Sequence, residues 1–369
     1  MSSARPRMES IPPVRAPRVI AWETTRRCPL NCRHCRGGAR NVDYEGELST
    51  SEAHRVIDGL AEFGSPVLIL TGGEPMVRPD IYELAEHASA AGLRVAMAPC
   101  GPLLDAAAAE RLLRAGVTRV SLSVDAATPA AHDAFRGVQG AFQTVMEAIH
   151  AAFGAGLPFQ INTTVTRLNS ADLPRMLELA HAEGAVALDL FFLVPTGRGE
   201  ALKDIALSSA EHERTLRWVL EARSDSPIPI RVTCAPHMAR IERMSERSGA
   251  RSSDHQATPP RGRPTASSGC MAGRGFLFIS HRGILQPCGF LDVACGDLRA
   301  AAFDSAALCA NSPVLKALAN PDALKGKCGI CEFRHACGGC RARAFAEYGD
   351  FLAEEPACAY VPRAREMTP

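Results

Sequence analysis

The sequence predicts an α/β protein: a partial (β/α)6 barrel, similar to an incomplete TIM barrel, followed by a cysteine-rich C-terminal extension. Two observations support this fold class. Up to about Val194, short apolar runs alternate with amphipathic stretches rich in Ala, Leu and Glu, which is the pattern of βαβ units in a parallel sheet. From Cys270 onward the periodicity fades while Gly and Cys become frequent, so metal is expected to stabilise the extension where apolar packing is scarce.

Six strands and the helices between them follow one another in the first part of the chain. The predicted strands are Val19–Glu23, Val67–Leu70, Arg94–Ala98, Arg119–Val124, Phe159–Thr164 and Val186–Leu193. The predicted helices are Ser51–Phe63, Ile81–Ala91, Ala106–Ala115, Ala141–Ala155 and Ala171–Glu183. One more helix and a strand at Ile228–Thr233 come next. Because six units are fewer than the eight of a closed TIM barrel, the barrel is predicted to be open.

The same pattern divides the chain into four parts. Residues 1–17 are rich in Arg, Pro and Ser and are predicted to form a flexible tail, without the apolar stretch of a signal peptide. Residues 18–233 are the predicted barrel core, residues 234–268 a connector with a mobile loop, and residues 269–369 the cysteine-rich domain.

The composition limits the classes of function. The chain has 369 residues and a net charge of +1, so no overall field favours nucleic acid or an anionic membrane surface as a partner. No apolar run approaches the ~20 residues that span a bilayer. The 14 cysteines are clumped, which in a chain without a secretory signal predicts a reducing, cytoplasmic location and metal thiolates instead of disulfides.

Three cysteines near the first strand, Cys28, Cys32 and Cys35, have the spacing C-x3-C-x2-C. Three thiolates hold three corners of a four-iron cluster. With no fourth cysteine nearby, one iron stays open, and an open coordination position makes a metal site reactive. The alternative is a zinc knuckle with His34 as the fourth ligand, which is disfavoured because His34 lies between two of the cysteines.

Polar and glycine-rich segments stand at the ends of several predicted strands. The residues concerned are Gly72, Gly73 and Glu74, then Ser121, Ser123 and Asp125, then Asn162, Thr164 and Thr166, and finally the glycine-flanked Arg198. Because parallel strands end at one edge of a sheet, and ligands bind at that edge, the sequence predicts that these residues line a common site. The two glycines would let a ligand approach the backbone closely.

The three-cysteine loop and Gly72-Gly73-Glu74-Pro75 resemble the two signatures of the radical S-adenosylmethionine (SAM) superfamily. The resemblance implies a [4Fe–4S] cluster on Cys28, Cys32 and Cys35 whose open iron binds SAM. It also implies SAM contacts from Gly72, Gly73, Glu74, Ser123, Asp125, Asn162 and Arg198. Many relatives have Thr-Asn-Gly where this chain has Pro99-Cys100-Gly101, and Cys100 is predicted to be a buried thiol.

The spacing Cys328-x2-Cys331-x5-Cys337-x2-Cys340, with Cys358 further on, resembles the SPASM/twitch extension of radical SAM enzymes. The resemblance implies an auxiliary [4Fe–4S] cluster on Cys328, Cys331, Cys337 and Cys358. Candidates for a further cluster are Cys270, Cys288 and Cys340, with Cys295. The alternative is free thiols beside a single cluster, because the Cys340 spacing is one residue shorter than the full pattern. Cys234 and Cys309 are predicted to be structural thiols.

A narrower resemblance, to the tetrapyrrole-modifying branch of the superfamily, covers nearly the whole chain. The segments that carry it are Ala21–Thr25, Phe159–Thr164, Leu193–Gly199, Phe278–Gly283, Gln286–Phe290, Cys340–Ala344 and Gly349–Pro356. Most similar are the SAM-dependent heme synthases, which implies oxidative decarboxylation of two propionates of iron-coproporphyrin III to give heme b, with a flavodoxin or ferredoxin as electron donor. Candidate propionate or axial-iron contacts are Arg198, Arg231, His237, Arg274, His281 and Arg282. Arg341 and Arg343 are candidates for tuning a cluster by charge.

Three other functions remain open at this stage. One is another tetrapyrrole step, either deacetylation of didecarboxysiroheme or side-chain loss toward heme d1. A second is maturation of a peptide, disfavoured because only 17 residues precede the first strand, too few for a peptide-binding domain. The third, a non-enzymatic iron–sulfur carrier, would not need the Gly72–Pro75 motif.

Overall fold

The computed structural model describes residues 16–247 and 267–363. Seven parallel strands pair in chain order. They are β1 Val19–Thr25, β2 Val67–Gly72, β3 Arg94–Met97, β4 Val117–Ser123, β5 Phe159–Val165, β6 Leu188–Phe192 and β7 Ile230–Thr233. The α/β class and the parallel sheet predicted from the alternating pattern are confirmed.

Helices connect these strands and cover one face of the sheet. They are α1 Thr50–Gly64, α2 Ile81–Ala90, α3 Ala106–Arg114, α4 Pro129–Arg136, α5 Ala141–Gly154, α6 Leu173–Ala182 and α7 Ser209–Asp225. Ser49 and Ser208 begin α1 and α7 with full capping boxes. Between the helices and the sheet lies one apolar core, in which Trp22 and Phe159 are among the largest buried side chains. Of these helices, α4 was not predicted; Pro129 in its first turn and a left-handed Gly137 after its end are its local signals.

The extension continues the same sheet. Strand β8, Phe276–Ile279, pairs parallel with β1, and β9, Ile284–Gln286, returns antiparallel to β8. A two-residue strand, β10 Gly296–Asp297, pairs with β9. The strand order is therefore β10-β9-β8-β1-β2-β3-β4-β5-β6-β7. The sheet therefore contains strands from both sides of residue 269, where the sequence predicts the boundary between barrel core and extension.

The rest of the extension is short helices and turns. Its helices are α9 Ser305–Asn311, α10 Pro313–Ala319, α11 Gly326–Gly329 and α12 Arg341–Tyr348. The connector predicted as a mobile loop begins with a helix, α8 His237–Arg247, because Met238 and Ile241 are buried on one side of it. The remainder of that loop, residues 248–266, lies outside the described residues, as do residues 1–15 of the predicted tail and residues 364–369. Within the described ranges, no helix is long and apolar enough to cross a membrane.

Helix α1 is the surface on which the extension docks. A Cβ built on Gly59 would lie 2.5 Å from the carbonyl oxygen of Phe303, so this contact requires a residue without a side chain. Beside it, the guanidinium of Arg55 lies 4.3 Å from the centre of the Phe303 ring, and Arg299 forms a 2.6 Å ion pair with Glu52. The barrel and the extension therefore pack closely along α1.

Gly59→Ala is expected to destabilise the protein by about 2 kcal/mol, because its methyl group would push the Phe303 backbone away from α1. Gly154→Ala is the matched control: it also lies in a helix, but nothing lies within 4 Å of the added Cβ. That control should leave stability unchanged or raise it slightly. Chemical unfolding of the two variants measures both effects, and equal stabilities would contradict the docking contact.

Candidate active site

The three-cysteine loop follows β1 at the carboxyl end of the parallel strands. Cys28 is buried, whereas Cys32 and Cys35 are partly exposed. The backbone folds tightly here, with the amide of Cys35 donating to the carbonyl of Cys32 at 3.2 Å and the amide of Cys28 donating to that of Arg40 at 3.0 Å. All fourteen cysteines lie within the described ranges and are free thiols. The loop thus presents three thiols without a disulfide between them.

Two glycine segments hold this loop from either side. Cβ atoms on Gly72 and Gly73 would lie 2.2 Å and 2.4 Å from the carbonyl oxygens of Thr25 and Arg27. The amides of Gly73 and Glu74 donate to those same two carbonyls, both at 2.8 Å. The two glycines therefore allow the backbone at the start of the cysteine loop to pack directly against them. From the sequence alone, they are expected to allow the close approach of a ligand; in the structure, the neighbour is backbone. On the other side, a Cβ on Gly197 would lie 2.0 Å from the carbonyl oxygen of Arg36.

Arg198 extends that second contact. Its Nε donates to the carbonyl of Cys32 at 2.8 Å and its Nη1 to that of Ala39 at 2.7 Å. Its Nη2 is buried and has no partner. Arg198 therefore orders the cysteine loop and keeps the two N–H groups of Nη2 free for an anionic acceptor.

Glu74 is fully buried and makes its hydrogen bonds inside the protein. One oxygen accepts from the amide of Met76 at 2.9 Å, and the other from the amide and the thiol of Cys100 at 2.6 Å and 2.7 Å. Burial raises the pKa of Glu74 although these hydrogen bonds oppose the change. The Cys100 sulfur lies 4.0 Å from that of Cys28, so Glu74 connects the end of β3 to the cysteine loop. Cys100 is predicted to be a buried thiol; in the structure the residue is only partly buried, and its thiol donates to Glu74.

Asp125 is held in a buried ion pair. Its carboxylate accepts from Nε of Arg136 at 2.9 Å and from the amide of Thr164 at 2.8 Å. Burial would raise its pKa, but the charges of Arg136 and His34 outweigh burial and lower the pKa to about 2. The Asp125 carboxylate is therefore already paired with Arg136. Its contact with a SAM ribose stays a prediction.

Ser123 and Asn162 are register partners on adjacent strands. Both side chains are only partly buried, and Asn162 accepts a 2.9 Å hydrogen bond from Gln160. They face the same side of the sheet as Thr164, because side chains two residues apart share a face. These two residues remain open to a ligand on that face.

The four cysteines predicted for the auxiliary cluster, Cys328, Cys331, Cys337 and Cys358, line one pocket. Three of their sulfurs accept hydrogen bonds from backbone amides. The donors are Glu355 to Cys328 at 3.3 Å, Phe333 to Cys331 at 3.4 Å and Gly339 to Cys337 at 3.5 Å. Amide donors of this kind stabilise anionic sulfur, so the pocket suits four thiolates.

Cations and one histidine surround this pocket. Lys327, Arg240 and Arg334 line it, and Nη2 of Arg341 lies 3.8 Å from the Cys328 sulfur. His237 also lines it, is 1% exposed, and has no partner on either ring nitrogen. A buried imidazole without partners is costly, and sulfur atoms bound in the pocket would provide an acceptor.

Comparison with known proteins identifies the family of this chain. The Radical SAM superfamily pattern matches residues 22–180. An AdoMet-dependent heme synthase of Methanosarcina barkeri is 45% identical over 94% of this chain and 97% of its own length. The chain belongs to the radical SAM superfamily. The heme synthase of Nitratidesulfovibrio vulgaris is 44% identical over 95% of this chain and 94% of its own length, and a pre-heme d1 synthase of Dinoroseobacter shibae is 31% identical over 92% and 85%.

Among solved structures, Streptococcus suis SuiB bound to S-adenosylmethionine superposes with a TM-score of 0.71. The alignment covers 93% of this radical SAM protein and 77% of SuiB at 15% sequence identity. At that identity the likeness establishes the fold, including its extension beyond the barrel.

The donor sets fit the cofactors that this superfamily implies, a [4Fe–4S] cluster and SAM. Three free thiols on one loop match a cluster with an open iron, and the unpartnered Nη2 of Arg198 suits a carboxylate. Among the described residues, no three His, Cys, Asp or Glu side chains are close enough to hold a single metal ion. A four-iron cluster is larger than one zinc ion and spaces its thiolates further apart.

Other predicted contacts lie in different surroundings. Nη1 of Arg231, on β7, donates to Oε1 of Gln160 at 3.5 Å. Arg274 and Arg282 are exposed. Arg343 is buried against Glu355 at 3.0 Å. Cys295 was expected to lie with Cys340 in a further cluster site. It lies instead in the apolar core beside Cys309, with a hydrogen bond to Ser312.

Sequence reasoning missed Glu23, at the end of β1. Its carboxylate accepts from Nδ1 of His281 at 2.8 Å and pairs with Arg26 at 3.0 Å and Arg36 at 3.2 Å. Burial would raise its pKa, but the His281 hydrogen bond and the charges of Arg36 and Arg26 lower the pKa to about 2. The sequence signal that could have identified Glu23 is its position directly after Trp22 in an apolar strand, because a buried carboxylate needs a partner.

Glu23→Gln is expected to destabilise the protein at pH 7 by about 3 kcal/mol, because the guanidinium groups of Arg26 and Arg36 would lose a buried carboxylate. The folded-state pKa is lowered from 4.5 to about 2, so the stabilisation is present at neutral pH and is lost as the pH falls through that interval. Urea unfolding at pH 7 and pH 4 should show a smaller difference from wild type at the lower pH.

Asp43→Asn is the control for Glu23→Gln, since Asp43 forms a 3.1 Å pair with Arg27 but is 96% exposed. Its loss should cost at most about 1 kcal/mol. An effect of the Glu23 variant no larger than that of the Asp43 variant would rule out the proposed role of the buried carboxylate.

Cys32→Ala is expected to remove about four irons per chain and to abolish SAM cleavage, because a cluster needs all three thiolates of the loop. Visible absorption from a cluster held by Cys328, Cys331, Cys337 and Cys358, the predicted auxiliary ligands, should remain. Iron analysis, absorption spectra and 5′-deoxyadenosine assays of anaerobically reconstituted protein measure these effects. Formation of 5′-deoxyadenosine at the wild-type rate would refute the assignment.

Proposed function

We propose that the protein is a SAM-dependent heme synthase, which converts two propionates of iron-coproporphyrin III to the vinyl groups of heme b. The observation that carries the proposal is the pairing of two separate cysteine sites, a three-thiol loop and a four-thiol pocket, in a chain 45% identical to such an enzyme along nearly its whole length. The first suits radical generation, and the second suits electron transfer.

When bound, a reduced cluster with an open iron supplies the electron that cleaves SAM to methionine and a 5′-deoxyadenosyl radical. Removal of a hydrogen atom from the β-carbon of a propionate leaves a substrate radical. Loss of CO2 and one electron from it gives a vinyl group, so each vinyl requires an electron acceptor. Four thiolates saturate a cluster, which suits the pocket at Cys328, Cys331, Cys337 and Cys358 for that acceptor role.

In this proposal the residues of the chain position SAM and shield the reaction. Cys28, Cys32 and Cys35 hold the cluster, and Arg198 keeps their loop in place while its free Nη2 meets a carboxylate. Ser123 and Asn162 face the ligand from β4 and β5. Gly72 and Gly73 set the distance between β2 and the loop.

The substrate carries four carboxylates and an iron. Arg231 is the barrel-facing candidate for a carboxylate, because its only hydrogen bond among the described residues is a long one to Gln160. His281 is less free, since its Nδ1 is bound to Glu23. A flavodoxin or ferredoxin in the cytoplasm would supply electrons to the SAM cluster.

Another tetrapyrrole reaction is the second candidate, favoured by the 31% identity to a pre-heme d1 synthase. Both reactions would use the same SAM site. They differ in which side chain is attacked, so substrate turnover separates them.

Anaerobic incubation of the reduced, reconstituted protein with SAM and iron-coproporphyrin III tests the proposal. Two successive losses, each the mass of CO2 plus two hydrogens, are expected by mass spectrometry. Cys32→Ala and omission of SAM are the controls and should give no product. No change in this substrate, with turnover of didecarboxysiroheme in a parallel reaction, would overturn the heme synthase proposal and support the second candidate.

A further inference from the structure

His237 carries a buried hydrogen-bond donor that has no partner. It begins α8 and lines the auxiliary pocket, the name used here for the pocket of Cys328, Cys331, Cys337 and Cys358. The residue is 1% exposed, and neither of its ring nitrogens has a hydrogen-bond partner among the described residues. An imidazole has a hydrogen on at least one nitrogen in either charge state. Because buried donors are rarely left unsatisfied, this N–H requires an acceptor that the protein chain does not supply.

Backbone and packing hold the imidazole of His237 in place. The amide of Met238 donates to the carbonyl of Ala235 at 3.1 Å, so a tight turn precedes the helix. The ring of His212 packs against that of His237, with 4.6 Å between the ring centres and an angle of 70° between the planes. Arg240, three residues further along α8, lines the same pocket. Residues i and i+3 share one face of a helix, so this face of α8 is directed at the pocket.

The charged neighbours of the imidazole are poor candidates for its acceptor. Four cations lie within electrostatic range of it, namely Arg240, Lys327, Arg341 and Arg343. Their N–H groups donate and cannot accept. Glu355, a carboxylate that also lines the pocket, already accepts from Arg343 with one oxygen and from the amide of Cys340 with the other. In the part of the chain that the structure describes, the side-chain acceptors that remain at this pocket are its sulfur atoms.

We propose that His237 donates a hydrogen bond to a sulfur of the auxiliary [4Fe–4S] cluster and thereby raises the reduction potential of that cluster. A donor directed at cluster sulfur stabilises the reduced form more, because that form is more negative. Four thiolates already saturate the irons, so His237 acts on the cluster without being a ligand. The sequence pattern offers His237 as an axial contact to the substrate iron, whereas the structure places it at the auxiliary pocket. The inference rests on the auxiliary cluster of the proposed function and applies to either tetrapyrrole substrate.

His237 differs from the cations of the pocket in having no other partner. Arg240 pairs with Glu213, and Nζ of Lys327 donates to the carbonyl of Cys358 at 2.7 Å. These cations favour the reduced cluster through their charge, while their N–H groups are already engaged. The N–H of His237 is free for the cluster. An acceptor with a raised potential takes up an electron more readily, which is what the proposed reaction requires of the auxiliary cluster.

The test compares His237→Phe, which keeps an aromatic ring but removes the donor, with His237→Gln, which keeps an N–H group. His212→Phe is the matched control, since His212 is also buried and contacts His237 but does not line the pocket. All three variants are made in full-length protein that also carries Cys32→Ala, so that the SAM site contributes no cluster signal. Cys328→Ala in the same background identifies the electron paramagnetic resonance signal of the auxiliary pocket as the one that it removes. The measurements are iron per chain and a redox titration of that signal.

His237→Phe is expected to keep the iron and to lower the ratio of reduced to oxidised cluster, at a fixed potential, about tenfold. For one electron this corresponds to a midpoint lower by about 59 mV. His237→Gln and His212→Phe should change the ratio less than about threefold, because the first keeps a donor and the second lies outside the pocket. A midpoint of His237→Phe equal to that of the control would overturn the proposal. Loss of iron from both His237 variants would also overturn it, since His237 would then be a ligand.

A measurement without any His237 substitution completes the test. In protein with 15N-labelled histidine, pulsed paramagnetic resonance should detect a weak nitrogen coupling to the reduced auxiliary cluster, and its absence would contradict the hydrogen bond. If the protein showed no signal that Cys328→Ala removes, the auxiliary cluster of the proposed function would itself be refuted, and the role of His237 with it. A signal that is present but insensitive to His237 would refute the role of His237 alone.

Discussion

The position of the reactive loop depends on one buried carboxylate. Glu23 lies near the end of β1 and binds Arg26 and Arg36, at either end of the cysteine loop, and His281, in the β8–β9 turn. Arg36 in turn donates to the carbonyl of Gly289 at 2.8 Å and lies over the Phe278 ring. One carboxylate therefore holds both the cysteine loop and the extension against the end of β1. Gly72, Gly73 and Gly197 then pack against the backbone of the loop from either side.

Side-chain contacts also connect the two ends of the open sheet. The two edge strands of the sheet are β10, in the extension, and β7, and eight strands lie between them. Cys234, directly after β7, packs with Cys340 and Cys288 of the extension, so side chains from both ends of the sheet meet there. Cys328, Cys331, Cys337 and Cys358 line a separate pocket in the extension.

The sequence predicted the seven parallel strands because short apolar runs alternate with amphipathic helical stretches. It missed β8 to β10, which are two to four residues long and lie outside the alternation of strands and helices that revealed the equally short β3 and β7. Cysteine spacing identified the two main ligand sets, because their ligands are local in sequence. The pairing of Cys234 with Cys340 joins residues that are distant along the chain, and the charges around Glu23 likewise come from separate segments. The glycines at 72–73 were recognised, but the neighbour that requires them, the backbone of Thr25 and Arg27, could be identified only in three dimensions.

The pairing of β1 with β8 has a consequence for how the chain acquires its structure during synthesis. Strand β1 lies inside the sheet, yet one of its two neighbours, at residues 276–279, is made long after the other, at residues 67–72. Until the ribosome has released those later residues, β1 has an unpaired edge, and an unpaired strand edge promotes aggregation. The first strand to be made is thus among the last to be completed, so nascent chains depend on protection of that edge for most of translation.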